Sequence, residues 1–304
     1  MKKLILITIC ITTIFNTIQA QQLALYSQYM MNDFFINPAI AGTKNYSPLV
    51  LSVHKQWVGI EGSPSTQTLS YHTLLPNKMM GLGVILFNDT FGPEGRFGMQ
   101  AVYSHHFYID RYNKFCLGLS AIAMQYRMDQ RDFKLTEYYD PSITYMLEKT
   151  IVPDANAGIY FYGKRYYAGI TGSDLFQSQL KINKNVKENK MVRHYFLMGG
   201  YRFKFQSTNQ WEFEPSILLK MTEITPIQVD INTKFYYDEN FWFGFSVRPG
   251  DSFIANIGFM HKQYYIGYAY DFTFSDLSRH TFGSQEIIFG MNFNDKRKRS
   301  RSFF

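Results

Sequence analysis

Across residues 48–293 the sequence alternates apolar with polar residues in run after run, each about ten residues long, and no stretch shows a convincing helical period. Successive residues of a strand point to opposite faces, so each run has one face suited to hydrocarbon and one suited to water. The clearest run is 227–237. Ile227, Val229, Ile231, Thr233, Phe235 and Tyr237 share one side, and Gln228, Asp230, Asn232 and Lys234 share the other. The same division runs through 49–57, with Leu49, Leu51, Val53 and Trp57 against Ser52, His54 and Gln56. In 211–221 it sets Trp211, Phe213, Ile217, Leu219 and Met221 against Glu212, Glu214, Ser216 and Lys220.

Fourteen candidate strands result: 48–57, 65–75, 80–88, 97–108, 114–125, 152–162, 165–173, 193–205, 210–221, 227–237, 240–248, 252–261, 264–272 and 285–293. The connections between them alternate in length. The turns 76–79, 109–113, 163–164, 206–209, 238–239 and 262–263 are tight, whereas 126–151, 174–192 and 273–284 all fall on the other side, with 58–64, 89–96, 222–226 and 249–251. Short periplasmic turns and longer external loops are the habit of outer-membrane barrels, and apolar strands sit in lipid only when closure removes their unpaired edges. The sequence therefore predicts an all-β, transmembrane, antiparallel outer-membrane barrel of about fourteen strands, with both chain ends in the periplasm. A β-sandwich would also show period two, but it leaves the crowding of aromatics at strand ends unexplained.

Composition fits a barrel better than a soluble domain. Of 304 residues, 46% are apolar and only 18% charged, against about 25% charged in an ordinary soluble domain. The 28 Phe, 23 Tyr and 3 Trp coexist with a mean hydropathy of -0.22, which excludes a helical membrane protein. One long apolar run exists, Leu4 to Phe15 behind Lys2 and Lys3, with Ala20 as a cleavage point; it reads as a secretory signal over 1–20. Cys10 follows bulky Ile9, which disfavours a lipoprotein signal, and its removal leaves Cys116 without an internal disulfide partner. Removing Lys2 and Lys3 takes the 31 basic residues to 29 against 24 acidic ones, a net charge of +5. Five basic residues crowd into a tail at 294–304, so the rest is nearly neutral and a nucleic-acid footprint is not supported.

Candidate chemistry is sparse. Gly158 to Arg165 approaches a phosphate-binding loop but lacks the Ser or Thr after Lys164, and it reads better as a strand ending in a Gly163-Lys164 hairpin. His105 and His106, as strand neighbours, point to opposite faces and have no nearby ligand set for a metal. Ser52 with His54 and Ser70 with His72 share a face but lack an orienting third group, so no enzyme and no cofactor is expected. Inward charges such as Asp230 with Lys234, Glu212 with Glu214, and Arg248 with Asp271 require either a wet lumen or something that plugs it. Lys181, Lys184, Lys187 and Lys190 recur every three residues, as one basic helical face or, in the preferred reading, a solvated loop.

Between the signal and the first strand lies an arm, 21–47, containing Gln28-Tyr29-Met30, Asn37-Pro38-Ala39 and Ala41-Gly42. With Gln56-Trp57, Gly62-Ser63-Pro64, Gly81-Leu82-Gly83, Asp140-Pro141, Pro215-Ser216, Gly267 to Asp271 and Gln285-Glu286-Ile287, this order of motifs resembles the PorP/SprF family of type IX secretion system membrane proteins. Gln285 departs from the His frequent in that family, and the basic tail extends past the expected stop. The resemblance implies a non-enzymatic accessory of the secretion and gliding machinery that receives, holds or anchors a client, such as a large surface adhesin with a type B C-terminal domain. The implied partners are other components of the secretion system, that secreted client, a periplasmic peptidoglycan-binding protein and outer-membrane lipid. Partner contacts are expected at Gln28, Tyr29, Asn37, Pro38, Gly42, Trp57, Asp140 and Pro141. The preferred reading of the arm itself is structural, as a lumen plug or lead-in to the first strand. The competing function is a channel or transporter for a small solute.

Overall fold

The computed structural model describes residues 32–131, 145–180, 182, 190–205, 210–238 and 240–295. Strand segments follow one another as β1 (Ser47–Lys55), β2 (Ser65–Leu74), β3 (Met80–Phe91), β4 (Glu94–Tyr108), β5 (Lys114–Asp129), β6 (Leu147–Tyr162), β7 (Tyr166–Ser173), β8 (His194–Tyr201), β9 (Phe203–Lys204), β10 (Trp211–Thr222), β11 (Gln228–Tyr237), β12 (Phe241–Arg248), β13 (Ser252–His261), β14 (Tyr264–Thr273) and β15 (Ser284–Phe293). Each ladder is antiparallel. β8 and β9 are two pieces of one stave interrupted at Arg202, and both pair with β10. The ring closes where β1 meets β15 in the register Ser47↔Phe293, which makes a barrel of fourteen staves with no open side.

The two faces fall as the alternation predicts. On β11, Ile231 is 53% exposed while its neighbours Asp230 and Asn232 are 2% and 1% exposed. Leu51 and Val53 face outward on β1 between inward Ser52 and His54. No helix among the described residues is long and apolar enough to cross a membrane; the crossing is made by strands, whose backbone groups satisfy one another around the closed ring. Outside, aromatic rings form bands. Phe203, Phe213, Phe235 and Phe243 follow one another at 6.0, 5.1 and 5.0 Å near the short turns. Phe245, Phe253 and Phe272 do so toward the loops.

The described turns at the short-turn end are as tight as expected. In one, the Asp110 carboxylate accepts the backbone N–H groups of Tyr112 and Asn113 at 2.7 and 2.8 Å, bonds that hold its pKa below the ordinary carboxylate range. The β6–β7 hairpin differs in detail from the expected one. Gly163 N–H bonds to the Tyr166 carbonyl, so the two turn residues are Lys164 and Arg165. Gly163 does not have a positive φ; a Cβ there would lie 2.8 Å from Asn113 Oδ1 and the Tyr166 ring, so close packing is what requires glycine.

At the loop end the expected boundaries shift. β3 and β4 run through 89–96 and join over Gly92 and Pro93 alone, and β5 and β6 extend into the expected 126–151 loop as far as Asp129 and from Leu147. Beyond the hydrocarbon the outer face of a strand is wet, so the apolar signal that marks a strand fades while the ladder continues. The connection after β7 also folds inward. Leu180, Ile182 and Met191 are buried against Met124, Tyr126 and Val152. Of the lysine series, Lys190 is exposed, while Lys181, Lys184 and Lys187 lie outside the described residues, as do the expected signal over 1–20, the tail from 296 onward, Gln28, Tyr29, Asp140 and Pro141.

Candidate functional site

The lumen holds the arm. Residues 32–43 enter from the short-turn end as two single 3-10 turns, Asp33–Phe35 and Pro38–Ile40. Pro38 suits the first position of such a turn, where its missing N–H costs nothing, and Asn37 caps it by accepting the Ala39 N–H at 2.9 Å. The Asn37 amide then donates to the Ile159 carbonyl at 3.0 Å and the Ile170 carbonyl at 3.5 Å, tying the arm to β6 and β7. On the other side the Ala41 carbonyl accepts from Ser104 Oγ at 2.6 Å and from His106 Nε2 at 2.8 Å, while Gly42 N–H donates to His72 Nδ1 at 3.1 Å. Asn37, Ala39, Ile40 and Ala41 are fully buried.

Four glycines on the inner wall make this approach possible. A Cβ on Gly81 would lie 2.1 Å from the Ala41 oxygen, on Gly118 2.1 Å from the Ala39 nitrogen, on Gly158 2.1 Å from Asn37 Oδ1, and on Gly169 2.9 Å from Asn37 Nδ2. Gly42 itself sits at φ +76, where a side chain is strained. Phe34, Ile40 and their neighbours pack on Ile85, Val102 and Tyr160, so the arm is the centre of one hydrophobic core. A second core, Val50, Trp242, Tyr265 and Ile288, fills the opposite wall.

Several of the inward charges have partners, which meets part of the demand that their burial makes. At the short-turn end Arg202 binds Glu214 at 2.6 Å, reaches Glu212 at 3.7 Å, and lies 4.1 Å from the centre of the Tyr236 ring. The arm carries its own pair, Lys44 with Asp33 at 3.1 Å. At the loop end Arg248 grips Asp230 through two bonds of 2.8 and 3.0 Å and meets Asp251 at 3.1 Å and Asp271 at 3.9 Å. Ser52, His54, Trp242 and Glu286 are each 1% exposed, so side chains fill the lumen at several levels and not only where the arm lies.

Of the expected contact residues, Asn37, Pro38 and Gly42 belong to this plug. Trp57 sits at the other end of the barrel, beyond the end of β1, at φ 44 with its N–H on Ser284 Oγ at 3.2 Å. The structure therefore does not bring Trp57 and the arm together. The serine and histidine pairs are engaged elsewhere: Ser52 donates to Glu286 at 2.8 Å, Ser70 to Asn32 at 3.3 Å, and His72 takes the Gly42 N–H. His105 and His106 do face opposite ways, yet one neighbour escaped the sequence reading. Cys116, cross-strand from His106, places its sulfur 3.2 Å from Nδ1. Among the described residues no three His, Cys, Asp or Glu side chains converge as metal ligands. Sequence reasoning also missed Arg202, although a charge between Tyr201 and Phe203 was its visible signal, and the glycine-lined cradle, whose members are far apart in the chain.

Residues 18–291 match the family described as "Type IX secretion system membrane protein PorP/SprF". No curated protein matches the chain. Among solved structures, the "TodX deltaS2S3 mutant monoaromatic hydrocarbon channel" is similar with a TM-score of 0.51 at 9% identity, over 90% of this chain and 95% of that one. The Pseudomonas putida toluene transporter TodX gives 0.48 at 9% identity, over 90% and 95%. The Acinetobacter baumannii outer membrane protein Omp33 gives 0.45 at 8% identity, over 83% and 99%. At 9% identity the first of these likenesses is one of fold alone, that of an outer-membrane barrel.

Proposed function

The chain belongs to the PorP/SprF family of type IX secretion system membrane proteins, and from that premise we propose that it is a non-enzymatic accessory barrel that holds or anchors a secreted client at the outer membrane. The observation that supports this reading is the arm seated in the lumen. Bonded to β4, β6 and β7 and packed against four glycines, it suits a barrel that serves as a membrane anchor and docking body better than one built as a wide channel. In this reading the signal over 1–20 is removed, and the short-turn end, with Gln28, Tyr29 and the basic tail, faces the periplasm and its peptidoglycan-binding partner. Trp57, Asp140 and Pro141 serve the loop end, where a client such as an adhesin with a C-terminal secretion domain arrives. Asn37, Pro38 and Gly42 act by fixing the plug.

The test is recovery of partners from native membranes in mild detergent, together with conductance of the purified chain in planar bilayers. Co-purification of secretion components and a large surface protein, with no steady conductance, is expected. A stable open pore and no secretion partner would replace this reading with the transport one.

A further inference from the structure

β6 stands far above its neighbour β7. It pairs with β5 along its whole length, Tyr162 to Leu147, but its ladder with β7 covers only 157–162. Just above that ladder the Ala155 carbonyl accepts Leu175 N–H at 3.0 Å, and the Pro153 carbonyl accepts the Ser178 hydroxyl. Both carbonyls therefore point away from β5, and since backbone groups alternate in direction along a strand, the odd-numbered residues above them do the same. Leu147, Lys149 and Ile151 thus present N–H and C=O groups along an edge at which no described residue pairs. Counting about ten residues of hydrocarbon upward from Tyr162, the stretch 147–152 lies beyond the membrane, where a bare edge is tolerated.

Exposed edges are ordinarily blunted, because they are templates for an added strand. Here Lys149 and Pro153 are residues of the blunting kind, and Lys149 turns away a cationic strand while leaving the edge open to an acidic one. Lys149 is directly opposite Arg127, two cations paired across the outer face. Among the described residues neither is within ion-pair distance of an acid. Ile151, next along that face, is 75% exposed. An extended segment laid here would complete the ladder with its backbone, neutralise the cations with an acidic side chain and cover Ile151 with an apolar one.

We propose that the 147–152 edge of β6 is a strand-addition site for an extended, acid-bearing segment of a translocated protein. This rests on the reading of the chain as a client-holding barrel. Recognition divides between backbone bonds, which supply sequence-tolerant affinity, and the Arg127/Lys149 pair, which selects for negative charge.

The test uses the full chain in detergent and two synthetic peptides, one alternating valine with glutamate and one alternating valine with lysine. The glutamate peptide binds and the lysine peptide does not. Lys149→Pro and Ile151→Pro each remove an N–H from the open edge without touching the β5 ladder and weaken binding about tenfold. A double variant, Arg127→Gln with Lys149→Gln, leaves the backbone intact, weakens binding about fivefold and flattens its salt dependence; it also keeps the test alive if the proline variants do not fold. Equal binding by all variants overturns the proposal, as does a dimer of the chain that the proline variants convert to monomer, which would make a second copy the occupant. In cells of a type IX-secreting strain lacking the chain, surface display of the client is restored by the wild type and not by the edge variants. Restoration by both overturns the edge and leaves the accessory role standing. Display that never depended on the chain overturns the accessory role, and the peptide measurement then decides the edge by itself.

Discussion

The two walls of the lumen use glycine in opposite ways. On β3, β5, β6 and β7, Gly81, Gly118, Gly158 and Gly169 make room for a different part of the chain, the backbone and Asn37 of the arm. On β13 and β15, Gly258 and Gly290 make room for rings from adjacent strands: a Cβ would lie 1.9 Å from the Trp242 ring and 2.0 Å from the Tyr265 ring. Both arrangements bury apolar surface, but one wall is complete in itself and the other only with the arm seated. The difference separates what makes the barrel a barrel from what makes it a plugged one.

That contrast can be broken by substitution. Trp242→Ala empties the self-sufficient wall and is expected to cost about 3–5 kcal/mol, read by denaturant unfolding in lipid vesicles, with no change in access to the arm. Gly118→Val drives a side chain into the Ala39 backbone, an overpacking cost of about 1–3 kcal/mol. Its signature is different: trypsin cleaves after Lys44 and a bilayer conductance appears. Gly258→Ala is the matched control, since it displaces the Trp242 ring and leaves Lys44 protected. If the control also opens the arm, the two walls are one cooperative unit and the contrast fails. Asn37→Ala removes the cap and the bonds to β6 and β7, for about 1–3 kcal/mol, again seen as faster tryptic release. Smallest is Asp33→Asn. The Lys44 pair is part-exposed, 26% and 19% at the two side chains, so its loss is worth under about 1 kcal/mol and sharpens the assignment by loosening the arm without opening a pore.

Much of this was legible beforehand. The period of two in 227–237 and 49–57 assigned both the strands and their faces, because hydrocarbon outside and polar groups inside impose opposite demands on adjacent residues. The alternation of loop lengths separated the two ends. The inward charges on Asp230 and Arg248 announced that the lumen needed water or partners. What stayed hidden has a common cause. The extra height of β4, β5 and β6 carries residues such as Arg127 and Lys149 in water on the outer face, where nothing enforces apolar side chains. The tight β3–β4 hairpin and the edge of β6 that no described residue pairs with were invisible for that reason. The cradle was hidden differently: each of its four glycines is unremarkable on its own strand and acquires a role only when closure brings the strands around the arm.

The sequence by itself thus determined the class of molecule, a closed membrane barrel with an arm and two unlike ends, since those properties follow from local alternation and from the cost of unpaired backbone in lipid. The tertiary structure alone decided where the arm goes, which charges meet and how far β6 outreaches β7. Those depend on contacts such as Asn37 with Ile159 and Arg202 with Glu214. No local period encodes a contact between residues that only ring closure makes neighbours.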